Sequence, residues 1–197
     1  EDLARSRGVR LVVKGKSMVS EELGVNKALE RIGGEAVETD LGEYIIQLAG
    51  ETPFHIIAPA MHKSKEEVSD LFTKKLGTPP TDDIQRLCQI ARDELRQKFA
   101  QADMGMTGVN FAVAETGTIV LVSNEGNGRM STSLPRIHVA LMGMEKIVPS
   151  LKDLGIFLPL LTRAATGQKI TSYFTFVTGP RRHDDEDGPE EFHLIIL

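Results

Sequence analysis

Four short polar clusters carry what chemistry this chain offers. The first is Ser123-Asn124-Glu125-Gly126-Asn127-Gly128-Arg129-Met130-Ser131, which follows an apolar run. Its glycines let a ligand approach the backbone closely. Arg129 suits a carboxylate or phosphate, and Glu125 is a carboxylate able to orient a ligand or accept a proton. Ser123, Asn124 and Asn127 add hydrogen-bonding groups. The plainer reading is a long exposed loop with Asn and Gly in turn positions. The second cluster, Lys14-Gly15-Lys16-Ser17, lies between a strand and a helix, where backbone N–H groups beside two lysines form an anion site. It lacks Walker-loop spacing, and a turn with solvated lysines is the alternative. The third, Glu115-Thr116-Gly117, presents Glu115 as nucleophile or base, or is only a tight hairpin turn. The fourth, residues 161–168, places Thr166 and Gln168 where they close a pocket or cap a helix.

The elements that must position these clusters follow from apolar periodicity. Residues 118–122, Thr-Ile-Val-Leu-Val, predict a strand buried on both faces. An apolar run at 109–114 pairs with it, and Gly117 supplies the φ > 0 turn position. The polar cluster at 123 then lies at the carboxyl end of a central strand, where open α/β sheets bind ligands. Upstream, strands are predicted at 9–13, 36–38 and 54–58. One amphipathic helix carries Val19, Leu23, Leu29 and Ile32 and closes at Gly33-Gly34, and a short helix at 44–48 closes at Gly50. Ser64-Lys65-Glu66-Glu67 matches a capping box, opening a helix that ends near Gly77. A long helix from Asp82 carries Ile84, Leu87, Ile90, Ala91, Leu95 and Phe99 on one stripe, with Cys88 expected to be buried beside them. Later elements are a strand at 137–141, a helical region from Ser150 interrupted by Pro159, and strands at 173–177 and 192–197. Strands alternating with helices predict an α/β fold with a mostly parallel sheet flanked by helices.

Composition narrows the function classes. With 41% apolar and 26% charged residues, the chain has the make-up of a globular protein and enough length for one domain. A net charge of -5 argues against nucleic-acid binding. The single cysteine, Cys88, cannot hold a structural zinc or an iron–sulfur cluster, and the five histidines show no ligand spacing, so no metal site is expected. No apolar run approaches the roughly 20 residues of a membrane span and no signal peptide opens the chain, so the expected compartment is cytoplasmic. The chain begins in a charged helical segment and stops within an apolar strand. Residues 1–197 are therefore expected to be a single domain excised from a longer chain.

Ala-Glu-Thr-Gly-Thr at 114–118, Ser-Asn-Glu-Gly-Asn-Gly-Arg-Met-Ser at 123–131 and Ala-Thr-Gly-Gln at 165–168 resemble the lactate-utilisation (LUD) domain, in particular its iron–sulfur members. The similarity runs from about Val9 to Leu197. It implies a fold related to the NagB/RpiA/CoA-transferase superfamily. It also implies a following ferredoxin-like segment with two 4Fe–4S clusters, which is absent here and leaves this chain without a cofactor. The implied activity is oxidation of L-lactate to pyruvate with electron transfer, alongside other subunits of a complex. A small carboxylate would then meet Arg129, with Glu115 or Glu125 as acid or base and Lys14, Lys16, Ser17, Thr116, Ser123, Asn127 and Gln168 nearby. Two alternatives stand: a transferase or isomerase acting on CoA esters or sugar phosphates through Glu115, and a non-catalytic assembly module. No GxGxxG fingerprint follows a strand, so no dinucleotide hydride acceptor is expected.

Overall fold

The chain is described by a computed structural model for all residues except Ile56, Ile57, Asn124, Ile170 and Ser172. Helix α1 (Asp2–Ser6) leads into strand β1 (Leu11–Lys14). The apolar spacing after β1 predicts one helix, but two form, α2 (Met18–Glu22) and α3 (Val25–Arg31). Gly24 between them takes a φ of 63°, which ends one helix and starts the other. Strand β2 (Glu35–Glu38) is followed by α4 (Leu41–Ala49). The expected strand at 54–58 does not form in its described residues. Phe54 is 68% exposed and its N–H donates to the Pro59 carbonyl, while Ile56 and Ile57 lie outside the described residues.

Helix α5 (Lys65–Leu76) opens with the predicted capping box. The Ser64 hydroxyl accepts the Glu67 N–H at 3.2 Å, and the Glu67 carboxylate accepts the Ser64 N–H at 2.8 Å. Helix α6 (Ile84–Gln101) buries Leu87, Ile90, Ala91, Leu95 and Phe99. Ile84, in the first turn, is exposed instead. Cys88 is also exposed, because one residue past Leu87 the helix has turned about 100° off the stripe.

Strand β3 (Met104–Gly108) follows, then the hairpin of β4 (Phe111–Val113) and β5 (Thr118–Val122), with Gly117 at φ 69° as expected. Helix α7 (Asn127–Ser133) precedes β6 (Ile137–Met142). A 3-10 turn leads to β7 (Ile147–Val148) and α8 (Leu151–Thr166), and β8 (Phe174–Val177) and β9 (Glu191–Ile196) complete the fold. Helix α8 runs through Pro159 without interruption. The carbonyl that proline leaves without a donor belongs to exposed Gly155, where water can serve it.

The strands form two sheets. One is a fully parallel five-stranded sheet in the order β2-β1-β3-β6-β9, flanked by helices as predicted. The other is a mixed four-stranded sheet, β7-β4-β5-β8. Strand β5 was expected at the centre of the parallel sheet and lies in the second sheet instead. The central place belongs to β3, whose glycines conceal it in the sequence. Those glycines serve packing: a Cβ on Gly105 would fall 1.7 Å from the Ser131 carbonyl oxygen, so α7 lies directly on β3. Helices α1 to α3 cover one face of the parallel sheet, with Ala4, Val19 and Leu29 packed in one cluster with Val12 of β1. Helices α4 to α6 cover the other through Tyr44, Phe72, Ile90 and Phe99.

Candidate functional site

Strands β2 and β3 lie on opposite sides of β1, so the connections diverge at the carboxyl end of β1. Divergence there leaves a crevice between loops, the usual ligand position in open α/β sheets. A cleft of about 910 Å³ occupies that place. Its floor is Gly15, Lys16 and Ser17 after β1, Asp40 and Glu43 around the start of α4, and Thr107 to Asn110 at the end of β3. Ser123, Glu125, Asn127 and Gly128 enter from the second sheet, and Met18, Val19, Pro59, Met61 and Leu121 supply apolar wall.

The lysines of the expected anion site are already engaged. Lys14 is 1% exposed and sealed beneath the cleft, its Nζ 2.8 Å from Glu38 Oε1 and 2.9 Å from the Ser20 hydroxyl. Asn26 donates to the same Glu38 oxygen at 2.9 Å. A charge held so completely in a dry setting does not reach for a ligand. Lys16 pairs through its Nζ with Glu43, and its N–H donates to Asp40 Oδ2 at 2.8 Å. Ser17 caps α2, its hydroxyl accepting the Ser20 N–H at 3.3 Å.

Carboxylates dominate what remains. Glu43 is 5% exposed, and burial pushes its pKa up, with Lys16 pulling the other way and Asp40 adding to the rise. Glu125 accepts the Leu41 N–H at 3.2 Å, which ties the β5–α7 loop to the start of α4. Partial enclosure raises its pKa too, and neighbouring Asp40 raises it further. With Glu22 and Glu145, the lining has five carboxylates against the ammonium groups of Lys16 and Lys146. Lys146 itself lies 3.6 Å from Glu145.

Neutral polar groups are fixed by a chain of bonds across the two sheets. The Ser123 hydroxyl donates to Asn127 Oδ1 at 2.7 Å, and the Asn127 amide donates to the Thr39 hydroxyl at 3.2 Å. Thr39 donates onward to the Lys14 carbonyl at 2.9 Å. Asn127 is buried in the first turn of α7, so the predicted loop is a helix from that residue onward. Behind the cleft, the Thr107 hydroxyl lies 2.8 Å from Nε2 of His138, a fully buried ring whose pKa burial pushes down to about 4.

The structure therefore gathers Lys16, Ser17, Ser123, Glu125 and Asn127, and leaves other expected site residues elsewhere. Arg129 is exposed on α7 and outside the cleft lining. Glu115 is also outside it, and its carboxylate accepts the Leu151 N–H at 3.4 Å at the start of α8. Thr116 donates to Thr118 within the hairpin turn. Thr166 donates to the Thr162 carbonyl inside α8, and Gln168 is exposed just beyond that helix. Asn124 lies outside the described residues. Sequence reasoning missed Asp40, Glu43, Thr107 and Asn110. Asp40 had a signal, an acidic residue between a short strand and a helix. Thr107 had none, because its strand was not recognised.

Among the described residues no group of three or more His, Cys, Asp or Glu is arranged to hold a metal ion, and no helix is long and apolar enough to cross a membrane. One exposed cysteine does not fit an iron–sulfur cluster, so no electron step is assigned to residues of this chain.

Comparison with known proteins gives the site its setting. The LUD domain pattern matches residues 2–197. Lactate utilization protein B of Shouchella clausii is 53% identical over all of this chain, which covers 42% of that protein. Lactate utilization protein B of Geobacillus thermodenitrificans is 50% identical over 99% of this chain and 41% of its own length. The chain thus spans about two fifths of these relatives. A crystal structure of a DUF162 family protein from Deinococcus radiodurans is similar at a TM-score of 0.41 and 14% identity, covering 99% of this chain and 92% of that one. With the family pattern matched almost end to end, the chain belongs to the LUD domain family.

Proposed function

We propose that this chain is the LUD domain of an iron–sulfur lactate-utilisation protein, acting in a complex that oxidises L-lactate to pyruvate and passes the electrons onward. The observation that carries this reading is its 53% identity, over its whole length, to a protein named Lactate utilization protein B. A role in lactate utilisation is what such relatives support. The iron–sulfur chemistry and the partner subunits extend that role in this proposal. Converting a secondary alcohol to a ketone removes two electrons, and nothing among the described residues accepts them. The redox centres, two 4Fe–4S clusters, belong to the part of the protein beyond this domain. The domain contributes ligand binding at the cleft between β1 and β3. A pure assembly module needs no such cleft, and the transferase reading loses support because Glu115 lies outside it.

The test is growth on L-lactate as sole carbon source by cells lacking the gene. Restoration by the full-length protein is expected, with weak restoration by Asn127→Leu, which breaks the bonds joining the two sheets at the cleft. Normal growth of the deletion strain on L-lactate would overturn the proposal.

A further inference from the structure

We infer that the cleft takes a neutral ribonucleoside-like ligand, a vicinal diol joined to a flat apolar ring, and not free lactate or a phosphorylated sugar. This deepens the reading of the cleft as the domain's ligand site and rests on it.

Charge is the first argument. Lys16 is committed to Glu43, Lys14 is sealed below and Lys146 lies 3.6 Å from Glu145, so among the described lining residues an entering anion meets five carboxylates and two ammonium groups that each already have a carboxylate beside them. Like charges at such short range repel strongly where solvent is reduced. Two of the cleft's glycines are explained by packing and not by a phosphate cradle. A Cβ on Gly42 would fall 2.8 Å from the Pro59 ring, and one on Gly108 would fall 3.1 Å from the Ser17 hydroxyl. These positions are small because protein atoms pack against them.

Hydrogen-bonding capacity is the second. Asp40 uses Oδ2 on the Lys16 N–H and Glu125 uses Oε2 on the Leu41 N–H. Their other oxygens have no bond among the described residues. Glu43, though 95% buried by its 5% exposure, also lines the cleft, with one oxygen on Lys16 and the second bonded to no other described residue. Carboxylate oxygens accept hydroxyl hydrogens, and adjacent hydroxyls supply a pair of them. The position agrees with the chemistry: Asp40 follows the second strand of a βαβ unit, where an acidic residue holds ribose hydroxyls in nucleotide-binding sheets. Asn110 spends its Oδ1 on the Val122 N–H at 2.8 Å, leaving amide N–H groups for ring heteroatoms.

Size is the third. A cleft of about 910 Å³ is far larger than lactate requires and suits a cofactor-sized molecule. Met18, Val19, Pro59, Met61 and Leu121 offer an apolar wall for a planar ring.

Equilibrium dialysis of the full-length protein against adenosine, 2′-deoxyadenosine, L-lactate and ribose 5-phosphate tests this. Adenosine should bind at least about ten-fold more tightly than either anion, and loss of the 2′-hydroxyl should weaken it about ten-fold. Asp40→Asn and Glu125→Gln should each weaken adenosine about five- to ten-fold, while Arg129→Ala leaves it unchanged. Tighter binding of lactate or ribose 5-phosphate, equal binding of the two nucleosides, or no adenosine binding overturns the inference. Each of those results leaves the growth phenotype on lactate as a separate reading.

Discussion

Single atoms decide several positions in this domain. Gly105 and Gly155 show how differently two glycines are used. A methyl group at 105 collides with the Ser131 carbonyl at 1.7 Å, whereas one at 155 meets nothing within 4 Å. Gly105→Ala should therefore cost about 3 kcal/mol or more, since α7 must lift from β3. Gly155→Ala, within α8, should stabilise by about 0.5–1 kcal/mol. Denaturant midpoints of opposite sign relative to the parent would confirm both placements. His138 gives a second prediction. Its pKa falls from 6.5 to about 4 through burial, so the unfolded chain takes up its proton first as pH drops. The contribution is complete above about pH 6.5 and is lost as pH falls toward 4, amounting to about 3 kcal/mol. A His138→Gln variant should show a flatter stability profile across that window, measured by urea unfolding at stepped pH. An unchanged slope would mean that His138 takes up its proton in the folded state as readily as in the unfolded one.

At the scale of elements, local signals that satisfy backbone groups were legible, and signals that needed a neighbour were not. The Ser64 capping box formed as read, and Ser64→Ala should lower stability by about 1 kcal/mol in the same unfolding assay. The Gly117 turn and the stripe on α6 from Leu87 onward also hold, because both depend on spacing within one segment. Helix α7 was hidden because Asn127-Gly128 at its start has weak helix propensity. It forms where Gly126 turns the chain and Ser123 and Thr39 hold Asn127. The run at 54–58 shows the converse, an apolar segment whose described residues found no strand partner.

For the whole molecule, burial is unequal between inner strands and the edge strands β8 and β9. Every residue of β6 is buried, and β3 is buried except at its last residue, whereas no residue of β8 is. Hydrogen exchange should therefore be slowest in β3 and β6 and faster in β8 and the outer face of α8. Protection of β8 equal to that of β6 would mean that this edge strand is as firmly held as the inner ones.

Sequence alone determined the class of fold, since alternating strands and helices with buried β-branched runs have few packed solutions. It also determined which polar clusters stand at strand ends. Only the tertiary structure decided which of those clusters meet. Glu115 and Arg129 carry the right chemistry, yet the hairpin turn and the outer side of α7 keep them from the cleft. Asp40 and Glu43 reach it because β2 and β3 take opposite sides of β1. The sign of the site followed from that same packing. Lysines that look like anion ligands along the chain are paired with Glu38 and Glu43, because a buried ammonium group must find a carboxylate before any ligand arrives.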